Sequence, residues 1–418
     1  MLQFQPLQAR ETVGAGVMQI HLTVVAHLKY VMKKLILTNF IFFIGLTNLL
    51  LGQDQSLDSL NDFINNQAER FHVPGIAACV IKGDSIVWHN GYGYANIEDE
   101  KKMTSESILN IASISKTITA TAIMQLWEKG LLKLDADVNN YLDFSVTNPN
   151  FPNTPITIKQ LLTHTSSIAD GSSLKVGYQC GDPKKELKDW LFNYFDTDGE
   201  YYNEIDNFHN KEPASFREYS NVGFGLLGLI VEEISGVPFN EYVKVKIFEP
   251  LEMSNSGYFL NEVDANRLAT SYLYLGPLQE NLTEPQNSKL PYYNPYCQYS
   301  FWNYPDGLVR TSVLDLAKFA TAYMNGGIYK GKRILKKETI EFMMSPQLSE
   351  EINVDKDQGL CWFQSPSLYP TWYHGGSDPG VSTRMYINKK DKLGVIVFQN
   401  ANVDNTFYII KELYNRFK

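Results

Sequence analysis

The sequence predicts an α+β protein in which strands from both ends of the chain build one antiparallel sheet, with a helical lobe inserted between them. Three observations carry this. Residues 75–83, "GIAACVIKG", and 85–96, "SIVWHNGYGYAN", are apolar, partly β-branched runs separated by Gly83 and Asp84, the pattern of a hairpin. Residues 382–390, "STRMYINKK", and 393–400, "LGVIVFQN", repeat that pattern near the other end. Between them the periodicity is mainly helical, as in "FGLLGLIVEEISG" (224–236) and "VLDLAKFATAYMNGG" (313–327). Strands at both ends with helices between them suit a sheet whose helices are segregated from it.

Taken in order, the first 52 residues read as an upstream extension and an export signal. From Met32 the chain runs "MKKLILTNFIFFIGLTNLLLGQDQ", which is two lysines, an apolar stretch from Leu35 to Leu51 and then small Gly52. Those are the three regions of a secretory signal peptide, and cleavage after Gly52 would leave 53–418 as the exported protein, periplasmic or extracellular. The stretch is also near the length of a membrane span, so the alternative is an uncleaved N-terminal anchor. No cysteine lies near Gly52, which argues against a lipoprotein. Residues 1–31 precede the charged region with which a signal begins, as an over-early start codon would leave them. Residues 57–71 read as an amphipathic helix, and a helical pattern from 405 to 417 closes the chain. Two stretches, 171–218 and 276–307, are loop-rich. The α/β lobe is therefore expected over about 53–105 and 305–418, and the helical lobe over about 106–304.

Of the chain's 37 basic and 46 acidic residues, Arg10, Lys29, Lys33, Lys34 and Glu11 precede residue 53, which leaves 33 and 45 and a net charge of −12. An acidic chain without a basic stripe is a poor partner for nucleic acid. The four cysteines, Cys79, Cys180, Cys297 and Cys361, show no CxxC pairing, so no structural zinc site is expected. Cys180 and Cys297 lie in polar, loop-like segments and could bridge in an oxidising compartment. Cys79 sits in an apolar strand and reads as a buried small hydrophobe.

Residues 110–120, "NIASISKTITA", place Lys116 three positions after Ser113. Ile118, Ala122, Ile123, Leu126 and Trp127 then recur at helical spacing until Gly130, so a helix is expected whose first turn holds both residues. Residues three apart share a face, and the ammonium and hydroxyl can meet. A serine hydroxyl is a weak nucleophile unless a neighbour removes its proton. Burial at a helix N-terminus disfavours an ammonium, by desolvation and through the dipole, so a neutral Lys116 could be that neighbour. Alone the spacing means little, since SxxK occurs by chance in many helices. "REYSNVGFGLLG" (217–228) adds Tyr219, which can relay a proton, and Asn221, which can bond both Lys116 and a substrate amide or simply cap the helix. "TWYHGGSDPG" (371–380) adds His374, Gly375, Gly376 and Ser377 after an edge-like strand. Glycines there admit a substrate backbone, though in isolation they mark only a turn.

Ser113 with Lys116, Tyr-Ser-Asn at 219–221 and His-Gly-Gly at 374–376 stand in an order that resembles the penicillin-recognising serine hydrolases. Over about 60–415 the chain is similar to the beta-lactamase-related group, which includes class C β-lactamases, D-alanyl-D-alanine carboxypeptidases, D-aminopeptidases and several esterases. "LLTHTSSI" (161–168) resembles a helix-end segment of that group, usually with Gly where Ser167 stands. "DGLVRTSVLDLAKF" (306–319) and "QGLCWF" (358–363) resemble its later landmarks.

The resemblance implies a β-lactamase/transpeptidase-like fold: a five-stranded antiparallel sheet flanked by helices, an all-α lobe, and the site between them. It implies that Ser113 is acylated, that Lys116 and Tyr219 share the base role, and that Asn221 orients Lys116 and substrate. It assigns the oxyanion hole to the backbone N–H groups of Ser113 and Ser377, with Gly375, Gly376 and Ser377 binding substrate. His374 stands where class C enzymes carry lysine and could donate to Tyr219 or to a substrate carboxylate. No metal or cofactor is implied, and the partner is a small-molecule or peptide substrate, with no stable membrane partner if the signal is cleaved. Gly375 departs from the Lys-Thr-Gly form, whose threonine hydroxyl helps hold a β-lactam carboxylate, and this puts efficient β-lactam hydrolysis in doubt. His164 reads as a support of the helical lobe rather than a catalyst. Tyr292, Tyr293, Tyr296, Tyr299, Phe301 and Trp302 read equally as an acyl-side wall or as loop packing. Asn281 in "NLT" fits a glycosylation acceptor, which a bacterial-type signal discounts. The expected activity is hydrolysis of an ester or amide, and the shared motifs do not separate esterase from carboxypeptidase or aminopeptidase. The alternative is a non-hydrolysing sensor or peptidoglycan-binding protein of the same fold.

Overall fold

The computed structural model describes residues 27–35, 38, 57–276, 292–349, 351–352 and 358–418. Most of the expected signal and the acceptor at 281–283 lie outside the described residues. The chain divides into two units, Met1–Ile64 and Asn65–Lys418. In the first, residues 27–35 are helical, and a helix that runs over 57–70 begins there. The fold and the site described below belong to the second. Among the described residues no single helix is long and apolar enough to cross a membrane.

The main sheet contains β1 (Gly75–Lys82), β2 (Ser85–Asn96), β3 (Lys101–Lys102), β4 (Phe363–Gln364), β5 (Trp372–Asp378), β6 (Val381–Asn388) and β7 (Leu393–Gln399). Its order is β4-β5-β6-β7-β1-β2-β3, every neighbour antiparallel. The sheet is thus seven-stranded rather than the expected five. Five strands are seven to twelve residues long. The additional two, β3 and β4, are two-residue edges, too short to carry any periodicity, as edge strands often are. The join between the two ends of the chain is β1 on β7, with Ile76 opposite Gln399 and Lys82 opposite Leu393. Every residue of β7 is buried, the continuous apolar run expected of a strand covered on both faces.

Four helices position the site: α1 (Ser115–Glu128), α2 (Asn221–Ser235), α3 (Val313–Met324) and α4 (Thr406–Phe417). The last two pack on β1 and β7. Helix α1 is buried at every residue from Ser115 to Leu126. It tolerates this despite its threonines because their hydroxyls are satisfied: Thr117 donates to the Ile114 carbonyl at 2.7 Å, Thr121 to the Thr117 carbonyl at 2.7 Å, and Thr119 to the Pro305 carbonyl at 2.6 Å. Helix α2 is capped by Ser220, which accepts from the Gly223 N–H, and ends at Gly236 in the left-handed region. At Gly225 and Gly228 a side chain would overlap Asn303 and Pro305. Those two glycines let the 303–306 segment run close along α2 and reach the start of α1.

Candidate active site

Ser113 lies in a single 3-10 turn, Ala112–Ile114, that leads into α1. The expectation of an α-helical first turn holding both Ser113 and Lys116 is corrected accordingly: the α-helix begins at Ser115. Ala112 has φ +46°, a left-handed conformation uncommon for a residue with a side chain. Its N–H donates to Asn110 Oδ1 at 2.8 Å, and Thr383 Oγ1 donates to the Ile111 carbonyl at 2.8 Å. A Cβ on Gly376 would strike that carbonyl and the Thr383 hydroxyl. Glycine there allows β5 to lie directly against the turn that carries Ser113.

Lys116 is fully buried. Its Nζ donates to Ser113 Oγ at 3.1 Å, to Asn221 Oδ1 at 2.7 Å and to the Asp306 carbonyl at 2.8 Å, and lies 3.5 Å from Asp306 Oδ2. Burial pulls its pKa down, but Tyr219, Asp306 and Asp170 outweigh burial and leave it above the ordinary 10.5. The expectation of a lysine made neutral by desolvation fails because the acids around it were not legible in the helix itself. Asp306 pairs with that ammonium, yet burial pushes its own carboxyl up to about 7, and its Oδ1 has no partner among the described residues.

Tyr219 presents its ring to the cleft, 38% exposed, with the ring centre 5.0 Å from Lys116 Nζ. Burial raises its pKa despite the lysine. Its ring stacks on His164 with centroids 4.2 Å apart. His164 Nδ1 accepts the Ser220 N–H at 3.2 Å, and burial, then Lys116, keeps the imidazole neutral. His164 therefore buttresses Tyr219. Ser167 holds φ +69°. Its hydroxyl donates to the Lys211 carbonyl at 2.6 Å and accepts from Asn148 Nδ2 at 2.7 Å, which ties down the left-handed turn. Asn221 is aimed by Asp170, whose carboxylate accepts from its Nδ2 at 2.7 Å, its N–H at 2.7 Å and the Val222 N–H at 3.0 Å.

His374, Gly375, Gly376 and Ser377 lie within β5, not after a strand as expected. The ladder with β4 reaches only Trp372 and Tyr373, so it stops where these four begin. His374 Nδ1 lies 2.7 Å from the Gly375 carbonyl, which assigns its proton there. Burial, and then Lys116, lowers its pKa to about 3, so at neutral pH it is an uncharged imidazole whose Nε2 has no partner among the described residues. The expected donation to Tyr219 or to a substrate carboxylate is not what this arrangement offers.

One cavity of about 1250 Å³ is lined by Ser113, Tyr219, Asn221 and residues 374–378, with Lys116 beneath. Its far wall is Tyr178, Tyr299 and Phe301. That wall is stapled where Cys180 bridges Cys297 and where Gln179–Cys180 pairs with Tyr299–Ser300. Buried Arg310 donates to the carbonyls of Tyr258 and, at 2.6 Å, Tyr299. The aromatic cluster divides. Tyr296, Tyr299 and Phe301 line the cavity, while Trp302 packs on Trp190 at 5.7 Å and Tyr293 on Tyr274 at 5.4 Å. Sequence reasoning missed three acids here: Asp170, Asp306 and Asp378. Two had a signal, since Asp170 follows the 161–168 segment and Asp306 opens the 306–319 landmark. Among the described residues no group of His, Cys, Asp and Glu has the arrangement to hold a metal ion.

Fold and site agree on a class: the chain belongs to the beta-lactamase family, whose model, described as Beta-lactamase, matches residues 60–416. It is 24% identical to Protein flp of Staphylococcus aureus (strain MRSA252) over 362 residues, which are 86% of this chain and 66% of that protein. It is 27% identical to Penicillin-binding protein 4* of Bacillus subtilis (strain 168) over 339 residues, 78% of this chain and 68% of that one. The chain thus spans about two thirds of the length of the curated relatives it matches. Among solved structures, the octameric penicillin-binding protein homologue from Pyrococcus abyssi superposes with a TM-score of 0.66 at 27% identity, covering 84% of this chain and 75% of that one. The D-alanine carboxypeptidase AmpC from Burkholderia cenocepacia gives 0.63 at 20% identity, covering 87% and 99%, and speaks to the fold alone.

Proposed function

We propose that this protein is a serine hydrolase that cleaves an ester or amide through an acyl-enzyme on Ser113. The observation that carries the reading is the placement of one buried cation, Lys116 Nζ, 3.1 Å from Ser113 Oγ, 2.7 Å from Asn221 Oδ1 and 5.0 Å from the centre of the Tyr219 ring. In this reading the working form of the Tyr219–Lys116 pair, which titrates as a unit, is the one that has given up a proton, and as Ser113 Oγ attacks the carbonyl carbon its own proton passes to that pair. The backbone N–H groups of Ser113 and Ser377 hold the developing oxyanion. The same pair returns the proton to the leaving oxygen or nitrogen, and water then attacks the acyl carbon by the reverse path. Asn221, fixed by Asp170, positions both Lys116 and the substrate amide. D-amino-acid and cell-wall peptides suit this machinery, and a D-alanine carboxypeptidase shares the fold.

The test has two parts. A fluorophosphonate should add to Ser113, and a panel of p-nitrophenyl esters, D-Ala-D-Ala peptides, D-amino-acid amides and nitrocefin should show turnover of at least one ester or amide. A stable adduct without turnover of any would replace this reading with the non-hydrolysing sensor. We also read the segment from about 32 to 52 as an export signal. N-terminal sequencing of exported protein should then begin at or near Gln53, whereas Met1 or Met32 would exclude cleavage.

A further inference from the structure

Three carboxylates line the cavity: Asp306, Asp404 and Asp378. Two are matched by cations, Asp306 by Lys116 at 3.5 Å and Asp404 by Arg384 at 2.6 Å. Asp378 is not. Its oxygens accept from the Tyr178 hydroxyl at 2.9 Å, the Tyr299 hydroxyl at 2.8 Å and Asn110 Nδ2 at 3.2 Å, and all three donors are neutral. Among the described residues no lysine or arginine forms an ion pair with it. Neutral donors fix the orientation of a carboxylate without cancelling its charge, and Asp378 is half-buried in the cleft wall, open to a charged group that enters the cavity. Burial pushes its pKa up to about 6, which still leaves the group ionised at neutral pH.

The surroundings specify what would complete it. Tyr178 stacks with Tyr299 at 5.9 Å and with Phe301 at 4.8 Å, so the two hydroxyls that hold the carboxylate belong to one packed aromatic wall. The wall is held by the Cys180–Cys297 bridge and by Arg310 on the Tyr299 carbonyl, so it is preformed. Asp378 follows Ser377 directly in β5 and lines the same cavity as Ser113, so on the catalytic reading above its carboxylate faces the cleft next to the oxyanion position.

We propose that Asp378, with Tyr178 and Tyr299, is a subsite for a protonated primary amine that the substrate carries close to its scissile carbonyl. The substrate class is then an amino-acyl ester or amide with a free amine, rather than an N-acylated peptide. The inference rests on the reading of Ser113 as nucleophile only for the distance to the scissile carbonyl, and its test separates the two.

Purified protein is titrated by calorimetry with D-phenylalaninamide and with N-acetyl-D-phenylalaninamide. The same pair is then used to protect Ser113 from a fluorophosphonate. The free amine should bind at least tenfold more tightly at pH 7, and Asp378→Asn should bring the ratio close to one, while Asp378→Glu should keep a preference. Equal affinities in the unmodified protein, no binding of either compound at millimolar concentrations, or a ratio unchanged in Asp378→Asn would each overturn the proposal. The first two need no variant to fold. If calorimetry shows the preference but the fluorophosphonate leaves Ser113 unlabelled, the amine subsite stands and the catalytic reading falls.

Discussion

Asn221 holds Lys116 more closely than Ser113 does: its Oδ1 lies 2.7 Å from Nζ, against 3.1 Å for Ser113 Oγ. Which end of the amide faces the lysine is settled by Asp170, which takes Nδ2 at 2.7 Å and leaves only the oxygen for the ammonium. Asp170 is thus a positioning residue acting through Asn221. It also accepts two backbone N–H groups at the start of α2, so Asp170→Ala should cost about 0.5–2 kcal/mol of stability, as for a lost helix cap. It should also lower kcat while KM stays within a few-fold. A drop in stability with kcat unchanged would reduce Asp170 to a cap.

Lys116→Ala and Tyr219→Phe should each lower kcat by at least the ~10²-fold expected of a lost general base. Because Lys116 Nζ lies both 3.1 Å from Ser113 Oγ and 5.0 Å from the centre of the Tyr219 ring, the two serve one proton path on the proposed reading, and the double variant should lose little more than either single one. Additive losses would separate them into independent roles.

His374 has its pKa lowered from 6.5 to about 3, by burial first and by Lys116 second. The unfolded chain therefore binds this proton before the folded one does. The stability that follows from the shift is complete above pH 6.5 and is lost as pH falls towards 3. Between pH 6.5 and about 5 the loss is roughly 2 kcal/mol at ~1.36 kcal/mol per unit. Urea denaturation at those two pH values should show His374→Gln losing less than the parent by about that amount.

At Gly375 an added Cβ would meet nothing closer than the Thr383 carbonyl at 3.8 Å and Arg384 Nε at 4.0 Å, so Gly375→Thr should fold without rearrangement. A hydrogen bond to a charged group is worth roughly 1.5–3 kcal/mol. The new hydroxyl should raise kcat/KM for nitrocefin by about ten- to a hundredfold relative to the best ester or amide. The parent enzyme should prefer that ester or amide to nitrocefin. A parent that favoured nitrocefin would contradict the role given to Gly375.

Cys180→Ser with Cys297→Ser releases the staple on the wall that carries Tyr178 and Tyr299. KM should rise severalfold while kcat holds, since Ser113, Lys116 and Tyr219 sit on other elements. Unchanged KM would mean that the Gln179–Cys180 pairing with Tyr299–Ser300 suffices to fix the wall.

Much of the fold could be read because its signals are local. The hairpin at 75–96, the strands at 381–399 and the closing helix each declare themselves by period and punctuation. Ser113 and Lys116 were legible for the same reason, being three apart on one segment. What escaped depends on contacts between distant segments. Asp306 meets Lys116 across 190 positions and Tyr178 meets Asp378 across 200, and no periodicity reports such meetings. The acids that hold a proton on Lys116 were out of sight for that reason, and so was the burial that leaves His374 uncharged. The edges β3 and β4 are two residues long, below the length at which alternation can be seen.

The register of β1 on β7 sets when this molecule can work. Ile76 pairs with Gln399 and Lys82 with Leu393, and β5, β6 and β7 are joined edge to edge in that same half of the sheet. A ribosome making the chain releases β1 and the Ser113 turn early, but their sheet partners emerge only with the final segments. Closing a connection of that length is slow, as it is for any fold dominated by non-local pairing. Assembly of the cleft is therefore post-translational, and a nascent chain halted before Leu393 has every residue assigned to the chemistry without the scaffold that brings them together.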